Sequence, residues 1–425
     1  MRRLFKITLL CCAIAALVTT YLYNKNQNIL SGHRVVVCIP VYGQSLALGE
    51  EAELITDFDS LRINYKGRIV NENLNYHFGG YSDKLWKRLI KRLIHYNWRT
   101  YELSIYSMAK SLVSDLGEDT VICVFPGGMG ETTINEVNDF FYPPFINDIK
   151  NAHDMARERG WDFYVPAICW MQGESDIIEY TNVDYKKELK NFSIRLNRDI
   201  KAITNQKEDV KIICYQSNVI TRAEKFDETN YNCIEMRPAQ AIVELIKEDS
   251  LFWASGPTYP YNFINESLHI DAIGQNSIGR LAAIAGINIV RRKEKSFGVL
   301  PKSISIDKND VLIHFSVPCP PLVIDTLSVK PIKNYGFDVI TQDNKNIMSG
   351  ISLEGDIIRL RCCKSPIGCK IRYAVNGEKM KSGYKHGPRG NLRDSQGDKE
   401  KIVLKGQTYP VHNWAYQFDI LCNKQ

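Results

Sequence analysis

Tyr164-Val165-Pro166-Ala167-Ile168-Cys169 runs without a break into Trp170-Met171-Gln172-Gly173-Glu174-Ser175-Asp176. An apolar run of strand length that stops in Gln, Gly and two carboxylates describes a buried strand with polar side chains at its C-terminal end. That edge is where α/β sheets bind ligands. Taken alone, Glu174 and Asp176 suggest a catalytic carboxylate pair of the glycosidase kind.

Runs of the same texture recur on either side. Val35–Val41, Thr120–Phe125, Val165–Trp170 and Val210–Tyr215 are short and apolar, and between them lie amphipathic stretches at Tyr101–Leu116, Ile146–Gly160 and Tyr185–Thr204. Strands separated by helix-length segments predict an α/β fold, a parallel sheet with helices on both faces. Ile273–Ile287, rich in Ala, Gly and Ile, reads as a closing helix. After Arg291-Arg292-Lys293 the pattern changes to alternation in Val311–Val317, Gly336–Thr341, Ile357–Arg361 and Lys370–Ala374. Turn signals such as Lys308-Asn309-Asp310 and Glu354-Gly355-Asp356 punctuate it, which predicts a second, antiparallel β domain without long helices.

At 425 residues the chain is long enough for two domains, and 44% apolar with 24% charged residues is ordinary for a globular protein. The net charge of +6 is spread along the sequence. The Lys84–Ile94 cluster spaces its charges opposite Leu and Ile as a solvated helix face does, so no nucleic-acid partner is expected. Arg2, Arg3 and Lys6 precede an apolar stretch from Ile7 to Tyr23, slightly short of the ~20 residues that span a bilayer. A signal anchor with the body outside the cytoplasm is the first reading; a cleaved signal, giving a secreted or periplasmic protein, is the second. Of twelve cysteines, Cys38, Cys123, Cys169 and Cys214 sit in strand-like runs and read as free buried thiols. Cys362, Cys363 and Cys369 have room for one bridge. No spacing matches a metal site, and no cofactor is expected.

Each apolar run of the first domain ends in something polar or Gly-rich. The endings are Tyr42-Gly43-Gln44-Ser45-Leu46, then Pro126-Gly127-Gly128-Met129-Gly130-Glu131-Thr132, then the opening stretch, then Gln216-Ser217. Adjacent parallel strands bring such ends to one edge, and Glu266-Ser267-Leu268-His269-Ile270-Asp271 stands just ahead of the closing helix. The set can assemble a Ser-His-acid hydrolase, with Ser45 as nucleophile and His269 as base. An adjacent carboxylate would orient the ring, and Gly130, Ser45 and Gln172 would donate to the oxyanion.

Gly43-Gln44-Ser45, Trp170–Asp176 and Leu268-His269 followed by Gly274 and Gly279 resemble the SGNH (GDSL-type) hydrolases. More narrowly they resemble the sialate O-acetylesterase-like carbohydrate esterases, over roughly residues 35–290. The resemblance implies a flavodoxin-like three-layer hydrolase domain, bounded here at 31–293; the sequence patterns outside it give a signal anchor or signal peptide over 1–30 and an all-β, sandwich-like domain over 294–425. It makes Ser45 the nucleophile, His269 the base and Gly130 the backbone oxyanion donor. Gln172 stands where relatives carry an Asn donor, and Gln44 and Glu174 complete the substrate-binding set. The acid, usually Asp three residues before the histidine, is here Glu266, with Asp271 as the alternative. Glu131 stands where relatives tend to have a second Gly.

The implied activity is metal-independent removal of O-acetyl groups from a sugar through an acetyl-enzyme. The partner is an acetylated carbohydrate, and the membrane is met only through the N-terminal segment. A catalytically weakened glycan-binding protein and an O-acetyltransferase are the alternatives. In the β domain, Arg389, Asn391, Arg393, Asp394, His412 and Trp414 suit either sugar contact or an internally bonded loop.

Overall fold

The computed structural model describes residues 34–57, 69–70, 101–117, 120–220 and 231–423. The N-terminal segment and the Lys84–Ile94 cluster lie outside these residues. Among the described residues no helix is long and apolar enough to cross a membrane.

The chain opens with β1 (Val35–Cys38) and β2 (Val41–Gly43), followed by β3 (Ile69–Val70), β4 (Thr120–Cys123), β5 (Pro126–Gly128), β6 (Asp162–Tyr164), β7 (Ala167–Met171), β8 (Lys211–Gln216) and β9 (Phe252–Pro257). All pair in parallel, in the orders β3-β4-β1-β6 and β5-β2-β7-β8-β9. Pro40 separates β1 from β2 and Pro166 separates β6 from β7, since proline has no N–H to donate to a ladder. Backbone bonds from Val41 N to Phe125 O (2.9 Å) and Cys169 N to Pro40 O (2.9 Å) carry the pairing across these gaps. The four expected strand runs are all present; β9, which sequence reading did not single out, adds a fifth.

Alternate residues of β1, β7 and β8 enter different cores. Val36, Cys38, Ile168, Trp170, Ile212 and Cys214 pack in one with α2 (Tyr142–Glu158), α4 (Tyr185–Thr204) and α5 (Arg237–Glu248). Val37, Ile39, Cys169, Met171, Ile213 and Tyr215 pack in the other with α1 (Ser104–Asp115) and α6 (Ala272–Val290). A sheet buried on both faces explains why its strands read as continuous apolar runs. A short helix, α3 (Glu174–Ile178), follows β7 after Gln172 and Gly173. Helix α4 has the expected bounds because its ends are chemically marked: Asp184 accepts from Lys187 N at 3.1 Å, and Asn205 stops it at φ 58°.

Beyond residue 299 the described structure is antiparallel β. Strands β10 (Leu300–Asp307), β11 (Asp310–Ser316), β14 (Met348–Glu354) and β15 (Ile357–Cys362) form one sheet in the order β10-β11-β15-β14. Strands β13 (Phe337–Ile340), β16 (Lys370–Tyr373) and β20 (Phe418–Leu421) form a second. Ribbons β12 (Val323–Ile324) with β17 (Leu392–Arg393) and β18 (Lys401–Leu404) with β19 (Gln407–Pro410) complete the region. Ile313 and Leu360 of the first sheet share one core with Phe337, Ile371 and Phe418 of the second.

One sequence expectation for this region is corrected, and one open alternative is decided. Cys362, Cys363 and Cys369 are free thiols, as are the other seven described cysteines. The polar group around Asn391 is built into a loop: Asn391 Nδ2 donates to Asp325 O and Val329 O at 2.9 Å, Arg389 Nε to Lys330 O at 2.8 Å, and Arg393 Nε to Asp325 Oδ2 at 2.7 Å. Asp394 and Trp414 are buried with it, so of the two readings the sequence left open these side chains fit the internally bonded loop.

The β region is joined to the parallel sheet at its strand ends. Gln216 and Gln417, both fully buried, exchange bonds: Gln216 Nε2 donates to Gln417 O (2.8 Å), and Gln417 N donates to Gln216 Oε1 (2.8 Å). Tyr259 Oη donates to Ala415 O at 2.9 Å, and Arg280 Nη2 pairs with Glu400 at 2.6 Å.

Candidate active site

The C-terminal ends of β2, β5 and β7 are drawn together by glycine. A methyl group on Gly43 would stand 1.9 Å from Met171 O, and one on Gly128 (φ +111°) 1.7 Å from Gly43 O. Gln44 N donates to Met171 O (3.0 Å) and Met129 N to Gly43 O (3.2 Å), so the three polar endings are laced by backbone. Ser45 follows at the start of a short 3-10 turn, Ser45–Leu48, and is largely buried. Gln44 turns its Oε1 toward the third ending, accepting from Gly173 N (3.2 Å) and Ser175 N (3.3 Å).

Gln172 is not placed as an oxyanion donor. Its Nε2 already donates to Thr132 O (3.0 Å) and Asp176 Oδ2 (2.6 Å), and its Oε1 accepts from Tyr185 Oη (2.7 Å). A primary amide has two N–H groups, and both are used. Asp176 also accepts from Ile134 N (2.9 Å) and Thr181 Oγ1 (2.7 Å), tying β7 to the turn after Gly130. Glu174 is buried and accepts from Tyr215 Oη at 2.6 Å. Burial, reinforced by the charge of Asp176, pushes its carboxyl up to about 7 against the Tyr215 hydrogen bond. Trp170 is core, with Nε1 donating to Tyr185 Oη at 3.1 Å. The opening stretch thus braces the sheet edge through hydrogen bonds, and its two carboxylates face separate partners.

His269 lies on the loop before α6, where its carbonyl accepts from Ile264 N at 2.7 Å. Its partners are two residues that sequence reading missed. Glu51 Oε2 is 2.9 Å from Nδ1, and Glu50 Oε2 is 3.9 Å from Nε2. Glu50 leans over the second ending: a methyl on Gly130 would come within 2.3 Å of Glu50 Oε1. Burial raises the Glu50 carboxyl, the charge of His269 opposes this, and Glu131 and Glu51 add to it. Glu131 adopts φ +59°, the left-handed backbone that glycine takes without cost. Among the described residues no hydrogen bond joins Ser45 Oγ to the ring; Glu50 stands beside Nε2. The only sequence signal for Glu50 and Glu51 is an acidic pair shortly after Gly43-Gln44-Ser45.

Neither sequence candidate for the acid meets His269. Glu266, at φ +55°, turns to the β region, with Oε1 2.5 Å from His386 Nδ1 and Oε2 3.3 Å from Lys381 Nζ. Burial pushes its carboxyl up, but these two contacts outweigh that and hold it below the ordinary range. Asp271 caps α6, accepting from Gly274 N at 2.8 Å, and takes a second bond from Asn262. Among the described residues no group of three or more His, Cys, Asp or Glu side chains is arranged to hold a metal ion.

Residues 103–285 match the family described as carbohydrate esterase, sialic acid-specific acetylesterase. The matched span contains Gly130, Gln172, Glu266 and His269, and begins after Ser45. No curated protein matches the chain. Among solved structures, XAC1771, described as a novel carbohydrate acetylesterase from Xanthomonas citri, is similar with a TM-score of 0.50 and 15% identity, over 76% of this chain and 66% of its own. NanS (TM-score 0.38, 13% identity, 62% and 99% covered) and a carbohydrate acetylesterase family member from Sinorhizobium meliloti (0.32, 13%, 61% and 99%) are more distant. The likeness to the Xanthomonas protein is one of fold.

Proposed function

We propose that the chain, whose residues 103–285 match the family described as carbohydrate esterase, sialic acid-specific acetylesterase, is a serine esterase of the SGNH type that removes O-acetyl groups from a glycan. The strand order supports this reading: numbering the five apolar runs along the chain, they lie 2-1-3-4-5, the flavodoxin-like order, with ligand chemistry expected at the carboxyl ends. The bounds 31–293 and 294–425 for the two domains, and an N-terminal anchor or signal that puts the body outside the cytoplasm, are proposed with it.

The observation that carries the reading is the imidazole of His269, held at Nδ1 by a carboxylate with Nε2 turned to the side where Gly130 and Glu50 meet. In the proposed reaction Glu51 accepts from Nδ1–H and orients the ring. Nε2 takes the Ser45 hydroxyl proton as Oγ attacks the acetyl carbonyl. The tetrahedral oxyanion is held by the backbone N–H groups of Ser45 and Gly130. His269 returns its proton to the departing sugar oxygen, which leaves as the alcohol. A water molecule, deprotonated in the same way, cleaves acetyl-Ser45 to acetate and free enzyme. Gln172 and Asp176 fix the edge that carries Gly130, and the Glu50 side chain rotates off Gly130 as the ester enters.

Ser45→Ala tests this directly: release of acetate from an aryl acetate falls to background while the melting curve is unchanged. Retained turnover in that variant refutes the assignment. The position of Glu50 favours one second reading, a glycan-binding protein with weakened catalysis. Stoichiometric labelling of Ser45 by a fluorophosphonate decides against it, and absence of labelling in folded protein decides for it.

A further inference from the structure

Resting on the esterase reading, the charges around the site narrow the substrate. A cavity of about 510 Å³ opens where Glu51 and Glu53, from the loop after the proposed nucleophile, meet Asp271 at the start of α6 and Lys405, Gln407 and Tyr409 of the β18–β19 ribbon. Its size lies within the roughly 300–1,000 Å³ of small-ligand sites. Glu51 belongs both to this cavity and to His269, so a sugar held here is beside the reacting ester.

The walls are acidic. Glu51, Glu53 and Asp271 line the cavity, and Glu50 and Glu131 stand on the other side of the histidine. Among the described lining residues Lys405 is the one cation, and it is 3.9 Å from Glu53 with both side chains mostly in solvent. Hydroxyl recognition is available without charge. Tyr409 offers an aromatic face, and its Oη donates to Gln407 Oε1 at 2.6 Å, which leaves the Gln407 amide N–H groups to donate. Among the described lining residues a sugar carboxylate entering this cavity meets three carboxylates and one solvent-exposed lysine, an excess of like charge that selects against an anion.

We propose that the substrate is an O-acetylated sugar carrying no negative charge at the end that enters this cavity, a neutral glycan in preference to an O-acetyl sialate. The test compares kcat/KM of the full chain on O-acetyl-N-acetylneuraminic acid and on its carboxyl methyl ester, which keeps the shape and removes the charge. The ester is expected to be at least tenfold better at low salt. That gap should close severalfold in 0.5 M salt, at a Debye length of about 4 Å, and narrow in Glu53→Lys. A free acid hydrolysed as well as or better than its ester overturns the proposal, and so does a gap indifferent to both salt and Glu53→Lys. An aryl acetate run alongside separates the two levels. Ser45-dependent hydrolysis of it together with a preference for the acid refutes the charge argument alone. No hydrolysis of any ester refutes the esterase reading, and this proposal with it.

Discussion

Replacing Glu51 by Gln removes the carboxylate 2.9 Å from His269 Nδ1 while keeping a hydrogen-bond acceptor of nearly the same shape. Opposite unit charges at that distance attract by about 5–6 kcal/mol at an effective dielectric of about 20. The Glu51 side chain is 54% exposed, so water and salt screen much of this. About 2–3 kcal/mol of support for the imidazolium formed during attack is left, and at 1.36 kcal/mol per decade kcat should fall roughly 30- to 150-fold. That is less than the roughly 10⁴-fold cost of altering a fully buried triad Asp. Glu266→Gln, whose carboxylate faces His386 and Lys381, should change kcat less than about threefold. Asp271→Asn should be nearly silent, because Asn caps helices about as well as Asp. Initial rates on an aryl acetate, with melting curves for all three variants, make the comparison. If Glu266→Gln is the most damaging change at unaltered stability, the orienting role of Glu51 is wrong and the active arrangement differs from the one described.

Gly43→Ala should lower the melting temperature by several degrees, because its methyl would stand 1.9 Å from the Met171 carbonyl and the strand ends would have to part; overpacking of this kind costs about 1–3 kcal/mol or more, and an unchanged melt would show the approach to be looser than described. Glu174 makes stability depend on pH. Its folded carboxyl stands at about 7 against an ordinary 4.5, so between those values the unfolded chain sheds a proton that the folded chain keeps. That contribution is present in full below about pH 4.5 and is lost as pH rises through 7, a fall of about 3 kcal/mol. Glu174→Gln keeps a partner for Tyr215 Oη and should flatten the decline in melting temperature between pH 5 and 8; a parallel decline in both proteins would place the titrating group elsewhere.

The sheet was readable because β1, β7 and β8 are buried on both faces, so Val35–Val41 and Val165–Trp170 appear as apolar runs. Their interruptions are written as Pro40 and Pro166. Helix α4 was readable to its ends because Asp184 and Asn205 mark them. Residues meeting across long stretches of chain left no such trace. The family resemblance puts Glu266, three residues before His269, in the acid's place, yet its left-handed backbone and its contacts with His386 and Lys381, more than a hundred residues later, turn it away. Gln172 has the residue type of an oxyanion donor, and only the positions of Thr132 and Asp176 reveal that both its N–H groups are occupied.

These failures share a cause, which bears on what the β region does. Glu266 is held by the segment that carries Lys381 and His386, and the same segment binds the histidine loop through Ser382 N to Glu266 O (2.9 Å). Gln417 closes on Gln216 at the end of β8, and Glu400 on Arg280 in α6. A region that grips the loop before His269, a central strand end and the helix after the histidine fixes where the imidazole can sit. In the proposed mechanism the acid then comes from the Glu50–Glu51 side, because Glu266, the residue the resemblance favours, is occupied in joining the two halves of the chain.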